Sequence, residues 1–164
     1  MNTDELKALT RRIVAEARRL NATHTDKPDA PVNYACIFTQ SPTEYEELVS
    51  VARQFGPIAE ETAMGPVFHI PPISTDAGPL RLLKIRRPDP KRPERGDADF
   101  TIADYDTFKK THLGGPGWGF IQRKNMEMLE LIDPSFDVIA YYSHPTLAEV
   151  LKLNADRPSE TGGS

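Results

Sequence analysis

The 164-residue chain has one cysteine, Cys36. That excludes an internal disulfide and any zinc site built on thiolates. No apolar run approaches the length of about 18 residues that a membrane span needs. The four histidines, His24, His69, His112 and His144, lack the i, i+4 helical spacing of a metal pair. A phosphate cradle is missing too: Gly114-Gly115-Pro116-Gly117 is followed by no Lys-Ser/Thr. Neither sign of charge dominates, with 20 basic against 24 acidic residues and a net charge of −4. The whole molecule therefore carries no electrostatic footprint for nucleic acid or a membrane surface. The chain starts on a charged amphipathic segment rather than an apolar leader, so a reducing cytoplasm is the expected location.

What is present is enough for one domain with a real core over residues 1–153, followed by a small, polar, disordered tail over 154–164. Residues 3–21 form a helix, because Leu6, Leu9, Ile13, Ala17 and Leu20 recur at three- and four-residue steps. This helix packs across the main body, and its short apolar stripe leaves a homodimer contact open. A polar linker with two prolines follows, then a strand over 32–39 that places Tyr34, Cys36 and Phe38 on one face and Asn33, Ala35 and Ile37 on the other. Cys36 lies mid-strand between apolar neighbours and reads as a buried, inert thiol. Ser41-Pro42-Thr43-Glu44 is a strong helix start, and Gly56 a stop. Strands follow over 58–62, 66–70 and 80–86, with Pro71 and Pro72 expected to separate the last two.

The second half repeats this order: a strand over 98–102, a short helix capped by Asp104, strands over 119–123, 126–131 and 138–142, and a final helix over 145–153. The chain is thus read as two β-α-β-β-β modules, 32–87 and 96–142. A basic, proline-containing crossing from Arg86 to Gly96 joins them.

Paired β-α-β-β-β modules of this kind resemble the vicinal oxygen chelate (glyoxalase–dioxygenase) superfamily. The leading helix, the crossing Pro88–Gly96 before Asp97-Ala98-Asp99-Phe100, and the closing short helix are most similar to its YecM-like branch. The resemblance implies an α+β fold, a half-open mixed-sheet barrel with the N-terminal helix outside. It also implies a divalent metal in the barrel, held by His and Glu on the first and last strands of each module. Those places fall here near Asn33, Lys84, Asp99 and Tyr141. Only Asp99 is a good hard-metal ligand, and a Lys84 ammonium would repel a cation. The expectation is therefore no cofactor.

Other residues supply candidate chemistry. Alternation puts Asp97, Asp99 and Thr101 on the concave side, and Lys84 with Arg86 on one face of their strand. Opposite charges gathered in a cleft orient a polar ligand or raise a carboxylate to basic duty; equally, they form an internal salt-bridge network. Asp99 and Glu130 are the candidate catalytic bases, and Glu130 reads alternatively as a rim charge. Lys84, Arg86, Asp97, Asn33, Tyr141 and His69 are the candidate ligand-binding residues. His69, in its apolar run, reads first as a structural histidine. Trp118, between Gly117 and Gly119, is either a lid over the barrel mouth or a core plug. The expected function is binding of a small anionic metabolite, with metal-independent lyase or isomerase chemistry if the protein is an enzyme. The alternatives are a non-catalytic interaction protein whose barrel is filled by its own side chains, or a metal enzyme with Asp99, Glu130 and His69 as an altered ligand set. The crossing lacks aromatic interleaving, which argues against a nucleic-acid site.

Overall fold

The computed structural model describes residues 1–153, so the tail over 154–164 lies outside the described residues. Helix α1 (Thr3–His24) starts at a capping box: Asn2 accepts from the Glu5 amide at 2.9 Å, and Glu5 accepts from the Asn2 amide at 3.2 Å. It runs three residues past the expected end because Asn21 is not a linker residue. Asn21 is fully buried; its Nδ2 donates to the Lys27 carbonyl, and its Oδ1 accepts from Thr25 Oγ1 and the Tyr142 hydroxyl. The apolar stripe Leu6, Ile13, Ala17 and Leu20 is buried against the sheet. At about 2 kcal/mol for each large buried side chain, this stripe is the main reason α1 stays docked.

The strands are β1 (Val32–Phe38), β2 (Ile58–Thr62), β3 (Gly65–Thr75), β4 (Gly78–Arg86), β5 (Gly96–Phe100), β6 (Trp118–Gln122), β7 (Glu127–Leu131) and β8 (Val138–His144). Helices α2 (Pro42–Phe55) and α3 (Tyr105–His112) follow the first strand of each half, and α4 (Leu147–Val150) is a single turn. The strands form one mixed sheet in the order β2-β3-β4-β1-β5-β8-β7-β6. The fold is therefore α+β. Each half has the same internal order, first strand beside fourth, fourth beside third, third beside second. In each half the first and fourth strands are parallel. The halves meet where β1 and β5 pair antiparallel. The sheet is not closed; β2 and β6 are its edges. It is strongly curved, because Met64 beside β3 and Ile121 on β6 face one pocket.

Two local details depart from simple alternation. Pro71 and Pro72 do not end a strand; β3 runs through them with a register shift between His69 and Ile73. Proline cannot donate to the ladder, and a bulge is where a strand tolerates it. On β1 the register shifts between Val32 and Tyr34, leaving Asn33 as the extra residue. Gly96 starts β5 so close to β1 that a Cβ there would collide with the Cys36 carbonyl oxygen.

The main core lies on the helix-covered face, with Phe68, Leu83, Ile85, Phe100, Leu129, Leu131 and Tyr142 packed against the helices. Trp118 belongs to this side. It meets Phe108 edge-on at 5.7 Å and stacks on His112 at 4.6 Å, so it packs half-buried against the helix-side core and does not cover the concave face. The concave face has its own small cluster of Cys36, Phe38 and Ile139.

Candidate functional site

The concave face can be laid out from strand register. One row of neighbours runs Lys84, Cys36, Asp97, Ile139 across β4, β1, β5 and β8. The next runs Tyr34, Asp99, Tyr141, Glu130 across β1, β5, β8 and β7. Alternation along each strand keeps these side chains on one face. A cavity of about 190 Å³ stands over these rows, lined by Tyr34, Cys36, Lys84, Asp97, Asp99 and Tyr141, with Arg86, Arg92 and Arg123 also facing it. Cys36 is the small floor residue that leaves the space.

The two aspartates are nearly inaccessible, Asp97 6% and Asp99 3% exposed. Asp99 Oδ1 accepts from the Ser143 amide at 3.0 Å, the Ser143 hydroxyl at 2.8 Å and Asn33 Nδ2 at 3.2 Å. Burial raises its pKa to about 6, and those three donors hold it from rising further. Among the described residues Asp97 has no such donors, and its Oδ1 is buried without a partner. Burial above all, then the charge of Asp99, raises its pKa to about 8, against the pull of Lys84, Arg86 and Arg92. Near neutral pH the pair thus holds one acid and one carboxylate. Burial, reinforced by Asp97, also pushes the Cys36 thiol up, which disfavours its thiolate form.

The cations differ in what holds them. Arg86 pairs with Asp89 at 3.0 Å and lies 4.8 Å from the centre of the Phe38 ring. Arg92, from the crossing, reaches Glu130 at 3.5 Å. Glu130 also accepts from the Tyr141 hydroxyl at 2.8 Å. Arg123 is exposed at the rim. Among the described residues Lys84 has neither an ion pair nor a side-chain hydrogen bond.

Lys84, Arg86, Asp97, Asp99 and Tyr141 therefore meet in one pocket. Glu130 stands behind it, holding Tyr141 and Arg92, and is not part of its lining. Asn33 lines a separate hollow beside Thr101 and Glu149 and reaches the site only through its amide on Asp99. Simple alternation points Asn33 away from Tyr34; the extra residue in β1 lets it reach Asp99 and Thr101 on the concave side. His69 does not line the cavity. It is buried beside the proline bulge, where burial first and Arg81 second lower its pKa. Sequence reasoning passed over Ser143, Tyr34 and Arg92 as site residues. Alternation along β8 from Tyr141 reaches Ser143, but nothing local shows that Arg92 turns inward from the crossing.

The metal chemistry implied by the resemblance can be tested on these groups. Lys84 projects an ammonium where a ligand is needed, Arg86 and Arg92 face the same space, and the Tyr141 hydroxyl is engaged in a hydrogen bond that it donates to Glu130. Among the described residues no group of three or more His, Cys, Asp or Glu converges as a ligand set. The donors present do not fit a divalent cation.

No family model matches the chain, and no curated protein matches it. Among solved structures the chain is similar to one described as "Structural Genomics, Protein EC4020", with a TM-score of 0.67 and 12% identity over 91% of each chain. At that identity the likeness shows the fold alone.

Proposed function

We propose that this protein binds a small anionic metabolite in the concave pocket, without a metal. The observation that carries this reading is Lys84, a cation with no protein partner among the described residues, facing a cavity that also holds a buried carboxyl pair. Uncompensated positive charge in a water-poor cleft attracts an anion more strongly than the same charge at the surface. Arg86 and Arg92 add donors, and each is already oriented by a carboxylate. Oriented donors cost little further ordering when a ligand arrives.

The aspartates suit proton transfer. Asp99, ionised above about pH 6, takes a proton; Asp97, an acid below about pH 8, donates one to a carbonyl or leaving oxygen. That division of labour is what a metal-independent isomerase or lyase requires. Glu130 is the second candidate base, acting through Tyr141. The matching strand order of the two halves supports a distant relation to the vicinal oxygen chelate proteins, with charged side chains where those proteins keep a metal.

A thermal melt with a panel of small organic anions tests the binding. An anion at about 100 times its dissociation constant adds about 2.7 kcal/mol, which raises Tm by several degrees in a domain of this size. The shift is expected to vanish in Lys84→Met. An unchanged Tm across the panel sinks the reading. For an anion that does bind, wash-in of solvent deuterium at its carbon-bound hydrogens, followed by proton NMR, separates catalysis from simple binding.

A further inference from the structure

The anion pocket is selective in a way that its residues specify. Lys84 and Asp97 are the two strand neighbours of Cys36, so their Cα atoms stand about 10 Å apart, two strand spacings. Both side chains face the space above the thiol. No ion pair joins them, so more than the 4 Å of a salt bridge separates ammonium from carboxyl. Two hydrogen bonds of about 2.8 Å each, with a short ligand between them, fill such a gap. Asp97 Oδ1 meanwhile lacks a partner among the described residues despite its burial, and a buried polar atom left alone is rare enough to ask for an occupant.

The charges around this gap limit what fits. Four cations face the pocket, Lys84, Arg86, Arg92 and Arg123. Asp89 holds Arg86, Glu130 holds Arg92, and Asp99 offsets a third charge. Asp97 adds no negative charge in its acid form, which burial favours near neutral pH. One positive charge remains to be matched, which suits a monoanion better than a dianion. At about 190 Å³ the cavity takes a small molecule, since an apolar cavity of about 150 Å³ holds benzene.

We propose, on the basis of the anion-binding reading above, that the ligand is a small 2-oxo or 2-hydroxy monocarboxylic acid, its carboxylate on Lys84 and its 2-oxygen on the carboxyl of Asp97. Cys36 is the floor beneath it, and Asp99 stands one row away, within reach of the carbon that carries the 2-oxygen.

Isothermal titration of the full chain at pH 6.5 tests this, with pyruvate, lactate, acetate, oxalate and inorganic phosphate as probes. Pyruvate or lactate is expected to bind at least tenfold more tightly than acetate, oxalate or phosphate. Asp97→Ala is expected to bring the preferred acid down to the affinity of acetate and leave acetate unchanged. Asp97→Asn, whose amide donates from the same place, is expected to keep the preference. Lys84→Met is expected to weaken the preferred acid and acetate alike, by tenfold or more. A preference that survives Asp97→Ala, equal binding of acetate, or tighter binding of phosphate or oxalate overturns this assignment and leaves the anion pocket standing. If no probe binds the folded wild-type chain, the anion pocket falls with it.

Discussion

The hydroxyl of Tyr142 donates a 2.6 Å hydrogen bond to Asn21 Oδ1, both residues fully buried, and so ties the last turn of α1 to strand β8. Tyr142 also packs on Phe100, Phe108 and Trp118. One polar contact thus registers the leading helix on the second half of the sheet, inside an otherwise apolar layer.

Tyr142→Phe is expected to cost about 1 kcal/mol, since Asn21 keeps its bonds to Thr25 and Lys27. Asn21→Leu is expected to cost more, about 2–3 kcal/mol, because it strands the Tyr142 hydroxyl in the core and removes the side-chain bonds to Thr25 and the Lys27 carbonyl. Urea unfolding followed by tryptophan fluorescence gives both numbers. Equal costs would show that the hydroxyl is satisfied elsewhere.

The two buried aspartates contribute stability that is lost towards high pH. Both have pKa values raised in the folded state, Asp97 to about 8 and Asp99 to about 6. The folded state therefore holds protons that the unfolded chain releases above about pH 4. Their contribution to stability is fully present below that pH. It is lost as pH rises, through about 6 for Asp99 and about 8 for Asp97. The total is on the order of several kcal/mol. Asp97→Asn is expected to raise Tm at pH 8.5 and leave it nearly unchanged at pH 4.5. A wild-type Tm that climbs from pH 5 to pH 8.5, or a variant that tracks it, contradicts this account.

Cys36 is 2% exposed, and burial pushes its thiol well above the usual range. An aromatic disulfide reagent is expected to label it at the rate of global unfolding, with the rate rising steeply in urea. Fast labelling in native buffer would show that the floor of the pocket opens on its own.

Much of the architecture was legible in local signals. Ser41 and Asp104 cap helices because short side-chain acceptors reach free amides in the first turn. Alternation placed Asp97 and Asp99 on one face because the pleat has period two. Two failures share a cause. The reading of Pro71-Pro72 as a break and the placement of Asn33 both assumed regular register, and each met a bulge that only the partner strand reveals.

The sequence by itself determined the element order and, away from the bulges, the faces of the strands, because these follow from interactions within a few residues. The tertiary structure alone decided which charges share the pocket. It brought Arg92 in from the crossing, set Ser143 on Asp99, left Lys84 facing Asp97 across Cys36, and kept His69 out. Protonation was decided there too. A carboxyl is pushed up by the water it loses and the charges around it, and both are properties of residues distant in the chain.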